Sequence, residues 1–108
     1  MLESKFQAKL IKELKDRFPG CVVLKNDPSY IQGVPDLSVF YKDKWAWLEV
    51  KKSEADRKKP RPNQDIWVET GDAMSFARFV YPENKEEVMD ELQQAFQPRR
   101  KTRVSRSV

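Results

Sequence analysis

The sequence predicts one α/β domain built on a mixed four-stranded sheet, with the element order α-β-β-β-α-β-α. Three observations lead to this fold class. An apolar stripe with helical spacing opens the chain, and three strand-like segments follow, of which two are joined by a tight polar turn. A helix, a fourth strand and a last helix complete the chain, and a helical crossover after a hairpin makes the sheet mixed.

The first helix covers residues 3–18 because apolar side chains recur at every fourth position, at Phe6, Leu10, Leu14 and Phe18. The Pro-Gly pair at residues 19–20 ends this helix. Residues 21–24 are a short β-branched run that predicts the first strand. Residues 25–35 are rich in turn-forming residues and predict a loop.

A β-hairpin is predicted over residues 36–51, since two alternating segments flank the polar turn Lys42-Asp43. One face of its second strand is apolar, with Ala46, Leu48 and Val50. The other face carries Trp45, Trp47, Glu49 and Lys51. Tryptophans on a strand typically pack under a helix or in a dimer interface, and stacking on nucleobases is the alternative.

The segment 52–62 is charged and interrupted by prolines, so the sequence predicts a loop there. Asn63 is suited to cap a short helix over residues 64–70, which Gly71 would end. Residues 76–81 predict the fourth strand.

The end of the chain predicts a last helix and then a basic tail. The helix opens at a capping-box-like run over residues 84–87, ends before Pro98 and has the apolar stripe Val88, Met89, Leu92 and Phe96. Residues 98–108 hold five basic groups and no acid, whereas residues 1–97 hold 16 basic and 17 acidic groups. We therefore expect a domain over residues 1–97 and a flexible tail over 98–108, either a nucleic-acid arm or a solvated end.

The chain contains no histidine and one cysteine, Cys21. The lack of histidine excludes Ser-His-Asp and Cys-His nucleophilic sites and His-ligated zinc, so hydrolysis would depend on carboxylates, lysine and a hard metal ion. A single cysteine excludes an internal disulfide and fits a reducing compartment. With no signal-peptide pattern and no apolar run of membrane-spanning length, we expect a cytoplasmic protein with no membrane partner.

Asp36, Glu49 and Lys51 are the residues that most strongly indicate chemistry. Residues 36 and 49 are about equally distant from the hairpin turn, which predicts that they lie opposite each other. Glu49 and Lys51 share a face because strand side chains alternate. Two carboxylates can hold Mg²⁺ or Mn²⁺, and an adjacent lysine can orient the attacking water or stabilise charge on a phosphate.

Each of these residues also has a structural interpretation. Aspartate after proline is common in turns, and glutamate and lysine two positions apart on a strand often form a solvated face or a cross-strand ion pair. The joint pattern is harder to explain by chance: Gly33-Val34-Pro35-Asp36 followed by Glu49-Val50-Lys51. It favours phosphodiester hydrolysis.

This joint pattern resembles the motif of the PD-(D/E)XK nuclease superfamily. The chain is most similar to the small stand-alone VRR-NUC domains, which include phage-type junction-resolving enzymes, and the resemblance covers about residues 3–81. It implies a restriction-endonuclease-like core, and the host cytoplasm as the location if the chain is phage-encoded. The implied catalytic residues are Asp36, Glu49, Lys51 and Gln64, and the implied metal ligands are Asp36, Glu49, the Val50 carbonyl and Glu3.

Two of these implied roles have alternatives. In the family a glutamate of the first helix often joins the site; Glu3 is the better match and Glu13 is the other candidate. Glu3 could equally be a first-turn glutamate favoured by the helix dipole. Gln64 could be simply a polar residue in the first turn of its helix.

Two basic groups are candidates for contact with nucleic acid. The segment after the motif carries Lys52, Arg57, Lys58, Lys59 and Arg61, and the tail carries Arg99, Arg100, Lys101 and Arg103. The alternative for the first group is a solvated segment partly neutralised by Glu54 and Asp56. Both groups depart from the minimal family domain and leave the substrate preference open.

Together these observations predict a metal-dependent, structure-selective DNA endonuclease that uses Mg²⁺ or Mn²⁺ and cuts branched DNA such as four-way junctions. A homodimer is expected because one small body offers a single active site, and because the aromatic face around Phe40, Trp45 and Trp47 could be covered by a second copy. Two rival hypotheses are a nucleic-acid-binding module of the same fold that does not cut, and a structural or regulatory protein of a phage particle.

Overall fold

The computed structural model describes residues 1–98. Its elements, in chain order, are α1 (Glu3–Arg17), β1 (Val22–Lys25), β2 (Leu37–Tyr41), β3 (Lys44–Val50), α2 (Glu54–Arg57), α3 (Pro62–Met74), β4 (Ala77–Val80) and α4 (Lys85–Phe96). The predicted α/β class and the mixed four-stranded sheet are confirmed, and the element order differs from the prediction by the short helix α2. Among residues 1–98, no helix combines the length and the apolar character needed to cross a membrane. The predicted basic tail, with Arg99, Arg100, Lys101 and Arg103, lies outside the described residues.

The sheet has the strand order β1-β2-β3-β4. Its first two pairs are antiparallel, and β4 joins β3 in parallel after the crossover through α2 and α3. In the β2–β3 hairpin Leu37 pairs with Leu48 and Tyr41 pairs with Lys44, so the turn is formed by residues 42–43. The predicted position of the turn is therefore confirmed.

Helices cover the sheet on both faces. On one face α1 and α4 enclose the main core, whose fully buried side chains include Leu10, Leu14, Leu48, Met89 and Leu92. On the other face α3 contributes Val68, which packs with Ala77 and Phe79 of β4. The alternation of β3 explains this arrangement, because its small and aliphatic residues face the main core and its tryptophans face α3.

Trp47 packs beneath α3, with its ring centroid 5.4 Å from that of Trp67 and 5.0 Å from that of Trp45. The preferred interpretation of these tryptophans, packing under a helix, is confirmed for Trp47. Gly71 lies inside α3, not at its end, and a Cβ placed there would be 2.5 Å from Cε3 of Trp47. The prediction that Gly71 ends the helix is wrong, because this glycine allows the helix to approach the ring.

The segment 52–62 is not a loop throughout. The Ser53 side chain accepts a hydrogen bond of 3.1 Å from the Asp56 backbone N–H and so caps α2. The next helix begins earlier than predicted, with Pro62 in its first turn, where a missing N–H costs nothing. Asn63 is therefore a residue of α3 and not its cap.

The last helix begins where the sequence predicts and buries the predicted stripe. The predicted capping box does not form, because the Asn84 side chain has other partners. Its Oδ1 accepts from the Tyr81 backbone N–H at 2.8 Å, and its Nδ2 donates to the Phe79 carbonyl at 3.0 Å. Asn84 thus joins the end of β4 to the start of α4.

One part of the sheet is not covered by any helix of residues 1–98. Helix α3 covers β3 and β4, which leaves the same face of β1 and β2 open. Val22, Leu24 and Phe40 lie on this open face and are 51%, 50% and 42% exposed, and Val22 and Phe40 are directly paired across the strands. The result is an apolar strip beside Trp45 at one edge of the sheet.

Candidate active site

Asp36 and Glu49 meet at the open end of the β2–β3 hairpin. The register pairs Leu37 with Leu48, so the next positions outward, 36 and 49, face each other. Asp36 is oriented by the backbone, because its Oδ2 accepts a hydrogen bond of 2.8 Å from the Val50 N–H. Glu49 is 3% exposed. The hairpin therefore places two carboxyl groups together, as the distances from the turn predict.

Lys51 lies on the same side of the chain as Glu49 and is 5% exposed. Its Nζ is 3.6 Å from Oε2 of Glu49 and donates a hydrogen bond of 2.6 Å to Oε1 of Gln64. Gln64 belongs to the first turn of α3, so the sheet and the helix hold the ammonium group between them. The structure thus brings Asp36, Glu49, Lys51 and Gln64 into one site.

Burial raises the pKa of both carboxyl groups, and the charge of Asp36 raises that of Glu49 further. Desolvation is the larger cause for Glu49, the charge of Asp36 is the second, and together they raise the Glu49 pKa to about 8 in spite of Lys51. Desolvation also raises the pKa of Asp36, against the opposing effects of the Val50 N–H and of Lys51. Two buried carboxyl groups this close together are stabilised when one of them is protonated or when a cation binds between them.

The two glutamate candidates of α1 have different surroundings. Glu3 is near the carboxyl pair, since its pKa is raised by burial first and by the charge of Asp36 second. Glu13 faces elsewhere, and its Oε2 is 2.6 Å from Nζ of Lys85 at the start of α4. Glu3 is therefore the glutamate of α1 that lies within electrostatic range of the site.

The donor set fits a hard divalent cation. Oε1 of Glu49 is buried and has no hydrogen-bond partner within residues 1–98, which leaves a carboxylate oxygen free for a ligand. The side chain of Val50 is a hydrocarbon, so only its backbone carbonyl could serve as a metal ligand. Across the described part of the chain, no three carboxylate or thiol groups lie together as a complete metal-binding group. Mg²⁺ commonly binds through one or two carboxylates and retains several waters, which such a site permits.

Asp56 is a residue near the site that the sequence reasoning missed. It is 9% exposed on α2, its carboxylate lies 3.6 Å from Nζ of Lys59, and its charge contributes to the raised pKa of Glu3. The sequence does contain a signal for the helix that carries Asp56, because a serine followed three residues later by an acidic residue marks a helix start. Asp56 adds negative charge near Glu3.

The basic residues of segment 52–62 are not equally available to a ligand. Arg57 stacks on the Phe79 ring at 3.6 Å and lies 3.5 Å from Asp65. Two lysines also have acidic partners: Lys58 is 3.4 Å from Glu54 and Lys59 is 3.6 Å from Asp56. Lys52 and Arg61 are exposed and form no ion pair with residues 1–98.

Comparison of the chain with protein-family models, with curated proteins and with solved structures gave no match. The resemblance to the PD-(D/E)XK motif and the roles it implies therefore stay predictions.

Proposed function

We propose that this chain is a metal-dependent DNA endonuclease with a restriction-endonuclease-like core of the PD-(D/E)XK type. The observation that carries the proposal is the buried Oε1 of Glu49, which lacks a partner within residues 1–98 and lies beside Asp36 and Lys51. A carboxylate pair with a free oxygen and a neighbouring ammonium group is suited to phosphodiester hydrolysis with a hard cation.

Asp36, Glu49 and the Val50 carbonyl would hold Mg²⁺ or Mn²⁺, and the bound ion supplies an acidified water and charge neutralisation at the phosphate. Glu3, predicted as a further ligand, would contribute its nearby negative charge. Lys51 presents an ammonium group to the same place, where it can orient the water or stabilise charge on a phosphate oxygen. Gln64 fixes this ammonium through the 2.6 Å hydrogen bond to its Nζ. The Lys51 ammonium already has a protein partner, which suits it to orient a substrate group. Oε1 of Glu49 has none within residues 1–98, which suits it to bind a cation.

The proposed substrate is branched DNA, such as a four-way junction. Lys52 and Arg61 are exposed cations on either side of α2 and are suited to phosphate contacts near the site. Arg57, Lys58 and Lys59 would have to exchange acidic partners for phosphates, so we assign them a smaller share of binding. Arg99, Arg100, Lys101 and Arg103 would add attraction that does not depend on sequence.

We extend the proposal to a homodimer. The support is the apolar strip of Val22, Leu24 and Phe40 on the open half of the sheet. Two copies of one site suit a junction in which two related strands are cut. Light scattering on the purified chain should give twice the monomer mass; a monomer at every concentration would contradict this extension.

One assay tests the proposed activity. The full chain is incubated with supercoiled plasmid, a synthetic four-way junction and a linear duplex, each with Mg²⁺ or with excess chelator. We expect nicking only with Mg²⁺ and preference for the junction. Glu13→Gln is the matched control, because Glu13 pairs with Lys85 away from the site. Binding of all three DNAs without any cleavage would support the non-catalytic module instead, and full cleavage in chelator would contradict the metal mechanism.

A further inference from the structure

A cleft beside the carboxyl pair has no part in the chemistry proposed above. It has a volume of about 560 Å³, within the usual range for small-ligand sites. It lies between the segment that precedes β2 and the helix α3, over the sheet. Its lining residues are Asn26, Asp27, Tyr30, Ile31, Val34, Ser38, Trp47 and Trp67.

The cleft begins one cross-strand pair from the candidate active site. Ser38 pairs with Trp47, and the pair at positions 36 and 49 follows on the same face of the sheet, about 7 Å further along the strands. Asn26 fastens the cleft wall to this region, since its backbone N–H donates to the Asp36 carbonyl at 2.8 Å and its Nδ2 donates to the Pro35 carbonyl at 2.8 Å. A ligand in the cleft would therefore lie next to the carboxyl pair.

The walls of the cleft are held in place before any ligand arrives. Gly33 has a φ of 85°, and a Cβ at that position would be 2.8 Å from Cβ of Asn63 and 3.3 Å from Cδ1 of Trp67. The glycine thus lets the segment before β2 lie directly against α3. On the floor, Nδ2 of Asn26 donates to Oγ of Ser38 at 2.9 Å. The cleft is bounded by two strands, a helix and a tethered segment.

The lining chemistry decides between kinds of ligand. Three aromatic rings contribute, and Tyr30 is 84% exposed, so its ring is open to a ligand. Among residues 1–98 no lysine or arginine lines the cleft, whereas the carboxylate of Asp27 does, so this lining would repel a phosphate. Flat aromatic surfaces with amide and hydroxyl groups at the floor match a nucleobase, which needs stacking and a few polar contacts.

We propose that this cleft binds one unpaired nucleobase of the substrate strand, next to the phosphate at the active site. The inference rests on the proposed nuclease function and deepens it, since it assigns the substrate an unstacked nucleotide beside the cut. Such nucleotides occur where duplexes branch or carry an extra base. The Tyr30 and Trp67 rings would stack on the base. Both hydrogens of the Asn26 amide are already donated to Pro35 and Ser38, so the oxygens of Asn26 and Ser38 would face the base as acceptors.

The test measures binding and not cleavage. The probe is a duplex with one unpaired 2-aminopurine, compared with the same duplex carrying an abasic residue at that position, both in Ca²⁺. We expect the probe with the base to bind about five- to hundredfold more tightly, with quenching of its fluorescence on stacking. Tyr30→Ala should remove several-fold of this preference without affecting folding, because the ring is exposed. Met74→Ala is the matched control, an exposed apolar side chain at the end of α3 outside the cleft.

Each outcome bears on the cleft separately from the nuclease activity. Equal affinity for the base and abasic probes would overturn the cleft proposal, as would equal losses from Tyr30→Ala and Met74→Ala. A preference for the base without cleavage in Mg²⁺ would support the cleft and contradict the proposed function. Cleavage in Mg²⁺ without a preference for the base would support the proposed function and contradict the cleft proposal. Failure of every DNA to bind would overturn both.

Discussion

Lys51, the residue directly after β3, donates a hydrogen bond of 2.6 Å from its Nζ to Oε1 of Gln64 on α3. This bond holds a buried ammonium group beside Glu49. The position of Lys51 therefore depends on the start of α3, thirteen residues further along the chain.

Gln64→Ala should lower the cleavage rate about 10- to 100-fold, because the Lys51 ammonium loses the group that orients it. Gln64→Glu keeps an acceptor and should recover part of the rate, with an altered pH profile. DNA affinity should change little in both variants. The control is Asn63→Ala, a neighbouring exposed residue of the same helix. Equal rates for Gln64→Ala and Asn63→Ala would contradict the positioning role.

The metal-free protein should lose stability as the pH rises from about 4.5 to about 8. In this range the Glu49 carboxyl is ionised when unfolded, whereas burial, and next the Asp36 charge, raise its folded pKa to about 8. The folded state then binds more protons than the unfolded state, so the free energy of unfolding falls with increasing pH. Urea titrations in chelator measure this slope. Glu49→Gln should flatten it, and a wild-type slope no steeper than that of Glu49→Gln would show the assignment to be wrong.

Gly71→Ala should destabilise the protein by about 1–3 kcal/mol, although alanine normally favours a helix by about 1 kcal/mol over glycine. The added Cβ would lie 2.5 Å from the Trp47 ring and 3.0 Å from Cβ of Ala77. Chemical denaturation gives the value, and Thr70→Ala on the exposed side of α3 is the control. Stabilisation by Gly71→Ala would mean that α3 and β3 are not so closely packed.

The salt dependence of DNA binding should identify which cations meet phosphate. Deleting residues 99–108 removes five basic groups and should reduce the log–log salt slope by up to about 4–5 units. Lys52→Ala and Arg61→Ala should each reduce it by about 1 unit. Lys58→Ala should have a smaller effect, because this lysine is already paired with Glu54. Equal slopes for the full and shortened chains would leave the tail without a role in binding.

The sequence predicts well those features that depend on local pattern. The period-two alternation and the turn at residues 42–43 were sufficient to place positions 36 and 49 together, because a hairpin register follows from its turn. The stripes of α1 and α4 likewise predict what these helices bury.

Features that depend on contacts between distant parts of the chain were missed. A glycine is needed at position 71 because the Trp47 ring packs closely against α3, and not because the helix ends there. No residue near Gly71 in the sequence indicates this contact. The ion pairs of Arg57, Lys58 and Lys59 required α2, whose single turn is too short for a periodic signal. The aromatic cleft combines three separate segments, so only the fold brings it together.

The most direct test of the central claim is the single-turnover rate of junction cleavage in Mg²⁺ for the wild type and for Asp36→Asn. This substitution keeps the size of the side chain but removes the charge that holds a cation, so we expect at least a 10²- to 10³-fold lower rate with little change in DNA affinity. Glu49→Gln and Lys51→Ala should behave alike, and Glu13→Gln should cut as the wild type does. A near-normal rate for Asp36→Asn would contradict the assignment of the active site.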